Sequence, residues 1–154
     1  MAGLFLDTSA LAKLYHPEAG SSIVEGLVLR SSAAIFISRL AVVEARSVFA
    51  GKTRSGVITA SAAVILRRRF LEDIANQVFR VIALTSDHYG EAGELIERHG
   101  TSLGLRSLDA LQLAVALSLH RAGVAESLVA SDRVLCKAAR AEGVQVIDPE
   151  SPVL

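Results

Sequence analysis

Four acidic side chains occupy positions that ordinary surface carboxylates avoid. The chain carries sixteen Asp and Glu residues. Glu91, Glu94 and Glu97 share one polar stretch, and Glu142 and Glu150 lie in polar ends. Asp7, Glu44, Asp109 and Asp132 differ. Asp7 closes the apolar run Leu4-Phe5-Leu6, and Asp132 follows Leu128-Val129-Ala130 and Ser131. Each then opens a helical segment, where a carboxylate is also a good cap. Glu44, at 100° per residue, falls between Leu40 and Val48 in the middle of an apolar arc. A structural ion pair with Arg39 or Arg46 is the alternative for it, because buried charges are paired. Asp109 follows Ser107, the expected N-cap, so it lies in a first helical turn favoured by the helix dipole. It shares a face with Gln112, Ala116 and His120 on an otherwise apolar segment, a small polar strip that implies a cleft.

The elements that must position these acids alternate along the chain. Short apolar runs predict strands at Leu4–Leu6, Ile35–Ile37, Val78–Leu84, Leu128–Ala130 and Val144–Ile147. Longer periodic runs predict helices over Ala10–Tyr15, Ser21–Leu29, Arg39–Ala50, Ile58–Ala75, His88–His99, Leu105–Arg121 and Arg133–Ala141. Gly51, Gly100, Gly123 and Gly143 mark expected helix ends. Strands separated by helices predict an α/β fold, with a mostly parallel five-stranded sheet and helices on both faces. In a parallel sheet Asp7 and Asp132 leave by the same carboxyl edge, where open α/β sheets bind ligands. Carboxylates gathered there repel unless a cation or a shared proton intervenes. An all-oxygen set selects a hard cation such as Mg²⁺ or Mn²⁺. Such a site serves phosphate chemistry, by activating water and neutralising charge.

Composition narrows the class. The 154 residues suit one domain, and an apolar fraction of 51% with 21% charged residues excludes disorder. Sixteen basic residues balance the acids, so the chain is not a simple basic nucleic-acid coat. The single Cys136 rules out an intrachain disulfide and a cysteine zinc cluster, and it is expected to pack a helix. A reducing, cytoplasmic location fits. The start MAGLFLDTSAL lacks a basic signal-peptide region, and no apolar run reaches the roughly 18 residues of a membrane span. The apolar surplus predicts a partner, and a homodimer is expected. Pro149 and Pro152 fall in a polar tail, which puts a single domain at 1–148 and a short tail at 149–154.

The four acids lie in segments that resemble the PIN domain, and within it the VapC-type toxins of prokaryotic toxin–antitoxin pairs. LFLDTSALAKLY resembles that family's first motif and places its acid on Asp7. ISRLAVVEARS resembles the second, with Glu44 followed by Arg46. RSLDALQLAVAL resembles the third, with Asp109, and LVASDRVLCKAA the fourth, with Asp132 beside Ser131. Gln112 departs from the pattern, since many relatives carry histidine there. The resemblance implies a PIN-like three-layer sandwich and a Mg²⁺- or Mn²⁺-dependent endoribonuclease acting as a toxin. It further implies a homodimer, an RNA substrate and a cognate antitoxin that occupies the active-site groove.

On this reading Asp7, Glu44 and Asp109 ligate the metal, and Asp132 holds a second ion or a metal-bound water. Ser9 and Ser131 orient the acids, while Lys13, Arg46 and Arg133 are candidate phosphate contacts. Arg67, Arg68 and Arg69 form the densest basic cluster, either a solvated face or an RNA contact. His16, His88, His99 and His120 are dispersed and read as structural. Two rivals stand beside this reading. One is a non-catalytic interaction module whose acids are caps and ion pairs. The other is a haloacid-dehalogenase-like phosphatase, which lacks support because Thr8-Ser9 follows Asp7 where a second aspartate is required.

Overall fold

A computed structural model describes residues 3–152. Five short strands form one parallel sheet: β1 (Gly3–Leu6), β2 (Ile35–Ser38), β3 (Arg80–Ile82), β4 (Ala125–Val129) and β5 (Gln145–Ile147). Their order across the sheet is β3-β2-β1-β4-β5. Leu4 pairs with Ile35 on one side of β1 and with Ser127 on the other. The chain therefore winds outwards in both directions from β1, and the switch point lies between β1 and β4.

Strand periodicity divides the core. Leu4, Leu6, Ile35, Ile37 and Val129 face one side, with α1 (Thr8–Leu11), α2 (Ser21–Leu29), α3 (Arg39–Arg54) and α4 (Ala60–Ala75). Phe5, Phe36 and Leu128 face the other, against α5 (Ser86–Leu103), α6 (Ser107–Arg121) and α7 (Arg133–Ala141). Both faces are covered, which is why the strands read as apolar runs rather than alternating ones. The α/β three-layer arrangement predicted from the sequence is the observed one.

Two expected helix ends move. Gly51 lies inside α3 and Gly100 inside α5, because both helices run on to Arg54 and Leu103. Gly104 ends α5 instead, with φ 76°. Gly123 and Gly143 do follow α6 and α7, in the left-handed region that glycine tolerates best. Ser107 is the first residue of α6 rather than its cap; Arg106 holds the cap position and makes no side-chain capping bond.

The segment after β5 is held to the body of the protein. Gly20, at φ 85°, lets Pro149 approach so closely that a Cβ there would meet it at 2.8 Å. Beside it, Lys13 Nζ donates to Glu150 Oε1 at 2.8 Å, to Ala19 O at 2.8 Å and to Glu18 Oε1 at 3.3 Å. Val153 and Leu154 of the expected tail lie outside the described residues.

Candidate metal centre at the carboxyl edge

Asp7 stands at the switch point. Its backbone N–H continues the β1–β4 ladder by donating to Val129 O at 3.0 Å. The side chain caps α1: Oδ2 accepts from Ser9 N at 3.2 Å and from Ser9 Oγ at 2.7 Å. Asp7 is only 6% exposed. Burial pushes its carboxyl up to about 6; the Ser9 bonds work against this, and the nearby Glu44 charge adds to it. Asp132 caps α7 by accepting from Leu135 N at 2.9 Å through Oδ1. Both strand-end acids are thus caps as well as candidate ligands.

Glu44 is half-buried on α3 and makes no ion pair with Arg39 or Arg46 among the described residues. Hydrogen bonds hold it instead. Gln112 Nε2 donates to Glu44 Oε1 at 2.7 Å, and Thr8 Oγ1 donates to the same oxygen at 3.0 Å. Gln112 Nε2 also reaches Thr8 Oγ1 at 3.2 Å, while Gln112 Oε1 accepts from Ser38 Oγ at 2.7 Å. Asp109, half-buried in the first turn of α6, is raised to about 6, first by burial and then by the charges of Asp132 and Asp7. Arg106 pulls weakly the other way. With Glu44, Ser107 and Leu108 these two residues line a cleft of about 360 Å³.

The charge of Glu44 thus reaches Asp7, and those of Asp132 and Asp7 reach Asp109, but the four carboxylates do not close into one ready-made shell. Among the described residues no three His, Cys, Asp or Glu side chains stand close enough to hold an ion together. This is looser than the convergence expected from the sequence, and the cause is local. Asp7 and Asp132 turn towards the helices they cap, and Glu44 is drawn to Gln112 and Thr8. The donor set still fits a hard divalent cation. It is all oxygen, it is partly desolvated, and two of its acids carry pKa values raised in part by their neighbours' charge. Mg²⁺ commonly takes one or two carboxylates and keeps several waters, so a tight all-protein cage is not required. Ser131 Oγ is buried at this edge with no hydrogen-bond partner among the described residues, a polar atom with capacity to spare.

The remaining candidates separate. Ser9 orients Asp7, and it also accepts from Ser131 N at 3.0 Å. Ser131 contributes its backbone N–H to this junction, not its hydroxyl. Lys13 is not a phosphate contact: it is 3% exposed, and its three bonds to Glu18, Ala19 and Glu150 use the donors a substrate would need. Arg46 lines a separate cleft of about 520 Å³ between α3 and α4, with Phe49, Arg54, Val64 and Arg67. The arginine run splits, since Arg68 lines a neighbouring hollow while Arg69 lies 5.9 Å from the Tyr15 ring centre. Arg133 is exposed at the start of α7. The expected polar strip on α6 is cut short, because Gln112 and Ala116 are 1% and 2% exposed, and only Asp109 reaches the cleft. His88 completes a capping box with Thr85, and His99 bonds Glu142 at 2.7 Å, so both are structural. Cys136 is buried against Ala130 O.

Thr8, Ser38, Gln112 and Arg106 were not singled out as site residues by sequence reasoning. For Thr8, Gln112 and Arg106 a signal existed: each lies within three residues of a candidate acid. Ser38 carried only the signature of a cap.

The PIN domain profile matches residues 4–141, nearly the whole chain and all four acids. The chain belongs to the PIN domain family. This sets aside the dehalogenase-like reading. Solved structures share the PIN fold. VapC20 of Mycobacterium tuberculosis, described as a toxin that cleaves the sarcin–ricin loop, superposes with a TM-score of 0.67 at 22% identity, over 98% of this chain and 100% of that one. FitAcB of Neisseria gonorrhoeae gives 0.65 at 16%, over 95% and 97%. A toxin–antitoxin complex from Klebsiella pneumoniae gives 0.61 at 20%, over 99% and 100%. A search of curated proteins finds no match.

Proposed function

We propose that this PIN domain is a Mg²⁺- or Mn²⁺-dependent endoribonuclease that acts as the toxin of a toxin–antitoxin pair. The observation that carries the reading is Asp7. It is a buried carboxylate at the sheet's switch point that feels the charge of Glu44, and its own charge reaches Asp109. Asp7, Glu44 and Asp109 would hold the ion, with Asp132 holding a second ion or a bound water. When bound, the metal supplies a nucleophilic water and neutralises phosphate charge. Ser9 keeps Asp7 in place, Thr8 and Gln112 keep Glu44 in place, and the Asp132 cap fixes the last acid against α7. Arg106, on the rim of the cleft, offers a guanidinium to a phosphate.

Two surfaces support the partner side of this reading. The α3–α4 cleft is lined by apolar Phe49, Ala50 and Val64 together with Arg46, Arg54 and Arg67. This suits an apolar antitoxin segment bearing carboxylates. A second patch joins Leu40, Leu84 and the 61%-exposed Tyr89, with Val43 66% exposed on the same end of α3. We assign this patch to the homodimer. No helix among the described residues is long and apolar enough to cross a membrane. We place the protein's action in the cytoplasm, where RNA is met.

The deciding experiment incubates purified protein with mixed RNA, with and without Mg²⁺ or Mn²⁺, and maps the ends. Cleavage that needs the metal and disappears in Asp7→Asn supports the reading. Persistent inactivity of the parent towards RNA in either metal overturns it in favour of the interaction module.

A further inference from the structure

We propose that Gln112 is a positioning residue that fixes Glu44 as a ligand through one oxygen only, at the end of a one-way chain of hydrogen bonds starting at the cap of α3. The inference rests on the metal-dependent reading of the site.

The direction of every bond in the chain follows from what each atom can do. The Ala41 N–H donates to Ser38 Oγ at 3.1 Å, which closes the cap of α3. The Ser38 hydroxyl in turn donates to Gln112 Oε1 at 2.7 Å. The Glu44 carboxylate, which only accepts, decides which end of the Gln112 amide is which: the NH₂ faces Glu44 and Thr8, and Oε1 faces Ser38. The NH₂ group donates to Thr8 Oγ1 at 3.2 Å and to Glu44 Oε1 at 2.7 Å. Thr8, facing a carboxylate that only accepts, passes its own proton to Glu44 Oε1 at 3.0 Å. Two donors therefore converge on Oε1, while Oε2 takes no hydrogen bond from the described residues and Glu44 lines the cleft.

The members sit on four separate elements: β2 with its cap (Ser38), α6 (Gln112), α1 (Thr8) and α3 (Glu44). Ser38 is 0% exposed and Gln112 1%, so the chain is shielded from competing water. A buried amide making all its bonds at one place is costly to arrange and has no role in packing that a Leu would not fill. Its effect is to hold one carboxylate of the site at a set rotation before any ligand arrives. Partners of this kind, one bond removed from a metal, typically change metal affinity 10–100-fold when lost. A histidine at this position would offer one donor towards Glu44 and Thr8, not two, so this chain's glutamine makes a different and more divided connection.

The test uses Mn²⁺ alone as probe, with affinity read by titration calorimetry and the metal-free fold by thermal melting. Thr8→Val removes the hydroxyl at nearly constant shape, Thr8→Ser retains it, and Gln112→Met removes all three amide bonds at similar volume. Asp7→Asn is the control for a lost ligand. We expect Thr8→Val and Gln112→Met to weaken Mn²⁺ binding about 10–100-fold, while Thr8→Ser keeps the parent's affinity. Parent-like affinity in folded Gln112→Met overturns the proposal, as does equal loss in Thr8→Val and Thr8→Ser, which would mean that the methyl and not the hydroxyl matters. Should Gln112→Met fail to fold, the Thr8 pair decides alone. A parent that binds no Mn²⁺ overturns the metal-dependent reading itself, and this inference with it; parent binding with indifferent variants overturns the inference only.

Discussion

Ser131 and Ser9 tie the ends of β4 and β1 together: the Ser131 N–H donates to Ser9 Oγ at 3.0 Å, and that hydroxyl donates on to Asp7 Oδ2 at 2.7 Å. The bond across the switch point is thus also the bond that steadies the most buried acid. Ser9→Ala is expected to remove both. It leaves the Ser131 N–H without its acceptor, at about 1–3 kcal/mol in stability. It also removes a donor that opposes the upward push of burial on Asp7, so the Asp7 carboxyl rises above about 6. The acid limb of the pH–rate profile should then move to higher pH. An unchanged acid limb in Ser9→Ala would show that Asp7 does not govern it.

The raised acids also predict how the metal-free protein responds to pH. Asp7 and Asp109 go from 3.8 to about 6 in the folded state. Between those values the folded chain binds more protons than the unfolded one, so stability falls as pH rises through this window. Asp7 contributes on the order of 2–3 kcal/mol, at about 1.4 kcal/mol per unit. Asp109 adds less, because it is half exposed and screened. Glu18 and Glu142 are lowered and act with the opposite sign, but only below their usual range. Denaturant melts at pH 5 and pH 7.5, in chelator, should show the protein more stable at pH 5. Asp7→Asn should flatten most of that difference.

What the sequence made legible follows from what a local pattern can encode. The order of strands and helices was readable because both faces of the sheet are buried, and continuous apolar runs such as Leu4–Leu6 have no other use. The acids at Asp7 and Asp132 were readable because strand ends of a parallel sheet share an edge. The ends of α3 and α5 were not, since Gly51 and Gly100 fit inside a helix at modest cost when tertiary packing carries it. Lys13 misled because a lysine near a motif reads as a phosphate contact; only the fold brings Glu150, 137 residues away, to its ammonium. Gln112 was legible as a departure from a motif and as sharing a face with Asp109, but not as a partner of Glu44. Its partners Ser38, Thr8 and Glu44 lie 68 to 104 residues away, so nothing local announced the connection.

Lys13→Met tests the corrected assignment. A phosphate contact would show as a weaker KM for RNA and a salt slope reduced by about one. The latch seen here predicts an unchanged KM and an unchanged slope. It predicts instead a loss of about 1–2 kcal/mol, less than for a fully buried pair, because Glu18 and Glu150 can turn to water. The freed segment from Pro149 onward should also become cleavable by protease under conditions where the parent resists.

Asp109→Asn separates a metal site from a set of helix caps. The Asp109 side chain makes no hydrogen bond among the described residues, and the cap position of α6 belongs to Arg106. Its main electrostatic company is hostile, Asp132 first and then Asp7, with Arg106 a weaker attraction. Above about pH 6 the metal-free variant is therefore expected to melt no lower than the parent, since the substitution relieves repulsion. Metal bound only by the folded state stabilises it by about 2.7 kcal/mol at 100 times the dissociation constant. For a domain of this size that is several degrees in melting temperature. Saturating Mn²⁺ should lift the parent by that amount and the variant by less, so the order of melting reverses. Acids serving only as caps and ion pairs would give the same difference between parent and variant in both conditions. Thermal melts of the two proteins, in chelator and in Mn²⁺ at pH 7.5, distinguish these outcomes without any knowledge of the RNA.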